Sequence, residues 1–451
     1  MTAEIRFFWA RLNSNYWFYP ALFSVAAALL AFAMVWLDRN GFAEFLNEQD
    51  WLVTARPKGA SDMLNIMAGS LIGVASTVFS ITIVAVSYVS GTYGPRLLTN
   101  FMADRGNQLS LATFIGSFVY ALVVLRSVRT EEETASDIES ATATTLPGFT
   151  PQLSLLVAYA IMAVCVMVLV FFLNHIPSSI RINKVLEGIG RRLLDTVRET
   201  YPLEDGFSDP PSPMGGTPVL ARDTGYVQLI DFIDLIEKAR MKGCIFSLRV
   251  RTGDFVHRGL PLLDVEGADP ADWLDALRED FTFGASRTPE QDPQFLLDEL
   301  VEIGLRALSP GINDPFTAIT AIHWIGAATS DIGRRDLRKN IMNDVHGTMD
   351  DCPVIPLADD FSHYLKRGFG SSRSAVAASP IAAEVMLDAM SNAATSIDSH
   401  RRQVQLKQQG ELLAAQVREK LSGPDLEQFE AHYRRFNRVF WSSQSMNALH
   451  A

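Results

Sequence analysis

Two groups of residues in this chain have the types and spacing that chemistry requires. The first is a stripe. Ser70, Gly73, Thr77, Ser80, Val84, Ser87 and Gly91 follow in alternating steps of three and four, the spacing that keeps one face of a helix. Every member except Val84 is small or hydroxylated, while Leu71, Ile72, Val74, Val78, Ile81 and Val86 fall off the stripe. Small residues let helices approach closely in a membrane, and hydroxyls bond across the contact. The same groups can wet the wall of a pore. Val84, or a bulky neighbour such as Phe79 or Ile83, would then be a constriction that gates by dewetting. The spacing serves both readings.

The second group surrounds a turn. Asp298, Arg306, Ser309, Asn313, Asp314 and Thr317 could converge as a pocket for a small polar effector. The plainer reading is a capped helix–turn–helix with an Arg306–Asp pair. Catalysis has no support, because no Ser/His/Asp or Cys/His arrangement is apparent, and the chain is read as a non-enzyme. His346, Asp350, Asp351 and Cys352 lie close together but match no metal-ligand spacing. His323, beside Trp324, reads as a packed core histidine. No phosphate-binding glycine motif occurs, and no cofactor is expected.

These groups need elements to hold them. The stripe lies in a run from Met63 to Gly91 that carries no charge, longer than the ~18–20 residues that cross a bilayer core. Three further apolar runs join it, giving spans at about 17–37, 63–91, 109–128 and 152–174 within a membrane domain of residues 1–174. The first run has a basic start and an Ala31-Phe32-Ala33 site, but it continues past that site, so it reads as a span rather than a cleaved leader. Arg6 and Arg11, Arg96 and Arg105, and the cluster Arg181, Lys184, Arg191, Arg192 and Arg198 fall on one side. Glu131, Glu132, Glu133, Asp137 and Glu139 fall on the other. The positive-inside rule then puts both termini in the cytoplasm of a bacterial inner membrane. Arg126 and Arg129 defy the rule at the outer end of span three. They read as side chains that snorkel and pair with the nearby acidic run, or as a basic outer vestibule that gathers anions.

The rest of the chain reads as a cytoplasmic α+β part. Residues 175–216 form an amphipathic helix, from His175 to about Thr200, and a Pro/Gly-rich linker. Residues 217–268 form a small β-rich domain, and residues 269–451 a mostly helical one. Gly253-Asp254-Phe255-Val256 opens a turn like the closing hairpin of biotinyl and lipoyl carrier barrels, but Lys238 falls in a helical pattern and not on an exposed hairpin. A net charge of −12 argues against broad nucleic-acid binding. Three cysteines without a CxxC supply neither a disulfide framework nor a zinc motif. The expected partners are the bilayer, further copies of the chain and inorganic ions.

Gly94-Pro95-Arg96-Leu97-Leu98, Asp104-Arg105-Gly106-Asn107-Gln108 and the string from Arg306 to Pro315, together with Gly253-Asp254-Phe255-Val256, resemble a bacterial membrane-protein family. It is the one catalogued as domain of unknown function 2254. The resemblance spans nearly the whole chain and implies the membrane architecture without implying an activity. Phe316 stands just after the string where a small hydroxylated residue is expected. The leading expectation is a homo-oligomeric channel lined by the second span and modulated by the cytoplasmic part. Its rival is a membrane-anchored sensor or scaffold without transport.

Overall fold

The structure is a computed structural model. It describes residues 15–42, 56–94, 104–129, 149–203, 215–289, 291–337, 352–357 and 359–447. The chain divides into two compact units, Met1–Arg181 and Ile182–Ala451.

The first unit holds four helices: α1 (Phe18–Arg39), α2 (Pro57–Tyr93), α3 (Arg105–Leu125) and α4 (Gln152–Ser179). All four are long and apolar enough to cross a membrane. α3 packs against the other three and is the most buried of them. At one end Leu64 of α2 meets Tyr120 and Val124 of α3, Leu155 of α4 and Ala31 of α1. Towards the other end Leu71, Val78 and Ala85 of α2 pack with Phe114 of α3 and Phe172 and Ile176 of α4. At 1.5 Å per residue, Leu64 to Ala85 spans ~32 Å, the thickness of a bilayer's hydrocarbon core.

Two boundaries differ from the sequence expectation for physical reasons. α2 starts at Pro57, because Lys58 and Asp62 stop a membrane span but not a helix, and Pro57 suits the first helical turn. The last apolar helix continues to Ser179, so His175 belongs to it and the amphipathic helix begins only at Ile182.

The second unit begins with that helix, α5 (Ile182–Thr200). It buries Leu186, Ile189, Leu193 and Val197 against α8 (Pro293–Ala307) and α9 (Pro315–Ile332). The β-strands form two sheets. One runs β1 (Thr217–Leu220), β5 (Pro261–Glu266), β3 (Ile245–Leu248) and β7 (Val354–Ile355). The other runs β4 (Phe255–Val256), β2 (Gly225–Ile230) and β6 (Phe281–Gly284). Their shared core includes Val227, Phe246, Leu263, Val265 and Phe281, with α6 (Phe232–Lys242) and α7 (Leu274–Arg278) packed on it through Leu235, Ile236 and Leu277.

The β-rich part therefore reaches beyond the expected 217–268, since β6 and β7 complete the two sheets. The expected hairpin is also corrected. β4 pairs with β2, and β5 with β1 and β3, so the chain after Gly253 crosses from one sheet to the other. Gly253, at φ +89°, sits so close to the Asp292 carboxylate that any Cβ would strike it. Lys238 of α6 is held by Asp280 at 2.7 and 2.8 Å, by Asp234 at 2.9 Å and by the Ala276 carbonyl at 2.6 Å. It is no swinging arm.

The remaining helices are α10 (Phe361–Leu365), α11 (Ser371–Val376), α12 (Pro380–Ala394), α13 (His400–Lys420) and α14 (Gly423–Asn447), with a π-turn at Lys366–Gly370 between α10 and α11.

Candidate functional site

The stripe on α2 is open along its whole length. Ser70, Gly73, Thr77, Ser80, Val84, Ser87 and Gly91 are all exposed, and so are Phe79 and Ile83. The opposite face of the same helix is packed, with Leu64, Met67, Leu71, Ala75, Val78 and Ala85 buried. A Cβ added at Gly73 or Gly91 would meet nothing within 4 Å. These small residues therefore make no room for a helix of their own subunit. Thr77 donates its hydroxyl to the Gly73 carbonyl at 3.0 Å, and Ser80 donates to Ser76 at 2.9 Å. Ser70, Gly73, Thr77 and Ser80 lie inside the ~32 Å slab, Val84 at its end, and Ser87 and Gly91 one and two turns further on.

Polar groups tie the helices together at the two ends of the bundle. Asp38, at the end of α1, accepts hydrogen bonds from the Leu153 and Ser154 amides at 2.9 Å and from the Ser154 hydroxyl at 2.6 Å. It thereby caps the otherwise bare N-terminus of α4. Tyr120, fully buried, donates to the Ser154 carbonyl at 3.0 Å. At the other end Asp104 caps α3 through the Gly106 amide at 2.9 Å and lies 2.7 Å from His175 Nε2. Gly106 is required there, because a Cβ would fall 2.5 Å from the imidazole. The sequence reading missed this pair. Its available signal was His175 closing an otherwise uncharged run, since an ionisable group at a membrane helix end usually has a named partner.

Arg126 and Arg129 are exposed. Arg126 follows the last turn of α3, and the backbone of Arg129 pairs with Phe149. The acidic residues that the sequence offers as their partners lie outside the described residues. An apolar groove of about 400 Å³ runs between α1, α3 and α4, lined by Phe23, Leu30, Gly116, Tyr120, Ile161 and Val164 among others.

In the second unit the expected polar pocket is not assembled. Ser309, Asn313, Asp314 and Thr317 do share one turn. Ser309 donates to the Arg306 carbonyl at 2.6 Å, the Asn313 amide to Ser309 O at 2.9 Å, and the Thr317 hydroxyl to Asp314 at 2.6 Å. Asn313 takes φ +49° to close it. Asp298, however, lies eleven residues before Ser309 along α8, ~16 Å away by helix rise. Arg306 pairs with Glu302 at 3.7 Å. His323 is exposed and not a core residue. Trp324 is the one that packs, against Gly190.

Asp298 instead joins an ionic network that the sequence did not reveal. Arg367 grips it from two nitrogens, one at 2.6 Å from Oδ2, and Arg287 donates to it at 2.6 Å. Arg287 also donates to Asp292 at 2.6 and 3.0 Å. Asp359, with 2% of its side chain exposed, accepts from Arg251 at 2.6 Å, from Gln294 at 3.1 Å and from the Tyr201 hydroxyl. Tyr201 and Tyr364 bond to each other at 2.8 Å. Burial pushes both phenols well above their ordinary range, so both remain protonated near neutral pH. Three guanidiniums face three carboxylates here, and the arrangement clamps the β-rich part to α8 and α10.

Among the described residues no group of three or more His, Cys, Asp or Glu could hold a metal. His346, Asp350 and Asp351 lie outside the described residues. Cys352 donates its thiol to the Val354 carbonyl at 3.4 Å and packs against the core of the two sheets.

Four apolar helices followed by a mixed helical unit with two small sheets define an integral membrane protein with a large extramembranous part. The family described as predicted membrane protein, domain of unknown function 2254, matches residues 13–392, and this chain belongs to it. Uncharacterized proteins of Mycobacterium bovis and Mycobacterium tuberculosis are similar to it. Each is 29% identical over 359 residues, which covers 77% of this chain and 66% of the relative. The chain thus spans just under two thirds of the length of the curated relatives it matches. No solved structure matches it.

Proposed function

We propose that this protein is a homo-oligomeric channel of the bacterial inner membrane, in which copies of α2 surround a shared axis. The observation that carries this reading is the exposure of all seven stripe residues on a helix whose other face is packed. The centre of the bundle is filled by Phe114, Tyr120 and Phe172, so a water path on this reading runs between copies. Ser70, Thr77 and Ser80 would wet its wall. Phe79, Ile83 and Val84 would narrow it. The stripe carries no charge, and inorganic ions are the proposed cargo class. The distribution of arginine and lysine supports placing the second unit and both termini in the cytoplasm.

One observation favours a second reading. Thr77 and Ser80 already satisfy their hydroxyl protons one turn back, so the stripe can also sit dry against another copy. The protein would then be an anchored scaffold. Purified protein in liposomes distinguishes the two. A channel gives ion flux that changes in Thr77→Leu and Val84→Ala, and copies carrying Thr77→Cys crosslink through that position. Crosslinking without flux supports the scaffold. A monomer without flux overturns both.

A further inference from the structure

The turn between α8 and α9 presents neighbouring apolar side chains to solvent. Phe316 is 72% exposed and Ile312 43%, and Leu305 on the preceding turn of α8 is exposed as well. Three observations within the second unit and its leading chain say what covers them.

The first is direction. Gly190 of α5 meets Trp324 of α9, and eight residues further on Arg198 bonds Asp331 at 2.8 Å. The two helices therefore run parallel. Eight residues back from each contact, ~12 Å along either axis, lie Ile182 and Phe316. The turn and the start of α5 are at the same end of the unit.

The second is the tether. Only Ile180 and Arg181 separate the last residue of α4 from the first of α5. α4 has 28 residues, ~42 Å of helix, which matches a whole bilayer with its headgroups. The start of α5, at the same end of the second unit as the turn, thus follows the last apolar helix by two residues. Lys184, exposed one turn into α5, adds a positive charge there.

The third is the backbone of the turn. Ile312 and Asn313 donate their amides to Ser309 O at 3.1 and 2.9 Å, and Asp314 donates to Ala307 O at 2.8 Å. Thr317 donates to the Asp314 carboxylate at 3.2 Å. Pro310 and Pro315 have no amide proton. Entry into the interfacial layer penalises unsatisfied backbone groups, and this turn satisfies much of its backbone itself.

We propose that the Ser309–Phe316 turn is a bilayer-surface anchor, inserting Ile312 and Phe316 into the headgroup–acyl boundary of the membrane that the N-terminal helices span. The polar residues of the turn then serve to hold it rigid, and its apolar residues make the contact. The anchor does not depend on the channel reading.

The test uses full-length protein in vesicles of phosphatidylcholine and phosphatidylglycerol. A polarity-sensitive fluorophore is attached at Phe316→Cys and, separately, at Met241→Cys, another exposed position, with the native cysteines replaced by serine. Lipid-borne nitroxide should quench the label at 316 at least about twofold more than at 241, consistent with shallow insertion of an apolar face, and aqueous iodide should quench it less. Replacing Ile312 by serine should weaken the lipid quenching at 316. Equal lipid quenching at both positions, with free access of iodide to 316, overturns the proposal. A label at 316 shielded from both quenchers also overturns it and assigns the turn to a contact with protein.

Discussion

Replacing Asp359 by leucine removes one carboxylate that three elements share. Arg251 follows β3, Tyr201 follows α5 and Gln294 lies in α8, and all three donate to Asp359. Deleting one member of a buried ion pair costs about 3–5 kcal/mol, because the other charge stays buried without its partner. The side chain of Arg251 is 23% exposed and also lies 3.9 Å from Asp254, and Tyr201 keeps Tyr364. The loss therefore belongs near the lower bound, about 3 kcal/mol. For a folding unit of this size each kcal/mol moves the melting temperature by about 2–4 °C, so the drop is about 6–12 °C. Thermal unfolding of the detergent-solubilised full chain, followed by a tertiary-structure signal, measures it. The diagnostic companion is the double variant Asp359→Leu with Arg251→Met. It removes the stranded cation and should be more stable than Asp359→Leu alone by about 1 kcal/mol or more. A single variant that melts within about 2 °C of the parent, or a double variant whose loss equals the sum of the two singles, would refute the clamp.

Three more expectations follow from the geometry. Gly190→Ala places a Cβ 2.2 Å from the Trp324 ring and should destabilise by about 1–3 kcal/mol, with Trp324→Leu restoring part of the loss; a silent Gly190→Ala would mean that α5 does not sit on α9 as described. Asp38→Ala uncaps α4 and should lower the thermal stability of the detergent-solubilised protein by up to about 2 kcal/mol, while Asp38→Asn, which can still accept, should lose less. Burial, then the guanidiniums of Arg251 and Arg367, hold His363 below its ordinary range. The unfolded chain therefore takes up a proton at this site before the folded one does. The stability His363 contributes is complete above the ordinary histidine value and is lost as pH falls through its lowered one. His363→Gln should flatten the stability profile in that mildly acidic window, and an unchanged profile would count against the assignment.

The membrane helices were legible because a bilayer imposes a local rule: a span must be apolar and uncharged over one continuous stretch. The rule marks the span and not the helix, which is why α2 reaches back to Pro57 and the last apolar helix absorbs His175. Pairings over long separations were not legible. Arg251 and Asp359 lie 108 positions apart, and Arg367 and Asp298 lie 69 apart. No spacing rule covers such distances, so Asp298 was assigned to the nearest polar turn instead of its true arginines. His323 failed for a local reason. Adjacent residues on a helix point about 100° apart, so the packing of Trp324 against Gly190 turns its neighbour outward.

These differences change where a function can reside. The carboxylates of the second unit that sequence offered as a site hold elements together instead: Asp298 pairs with two arginines and Asp314 caps its own helix. The bundle likewise spends Asp38 and Asp104 on helix ends. The stripe on α2, and Ile312 and Phe316 at the α8–α9 turn, are exposed and carry no charge. On the channel and anchor proposals, these exposed uncharged surfaces are where the protein acts, in the plane and at the surface of the membrane. Substitutions along the stripe should therefore change assembly and flux while leaving the melting of the second unit unmoved. Breaking the Asp359 clamp should do the reverse at temperatures below its transition. If stripe variants instead lower the melting temperature of the second unit, the two units are not energetically separate, and the division of labour argued from their packing fails.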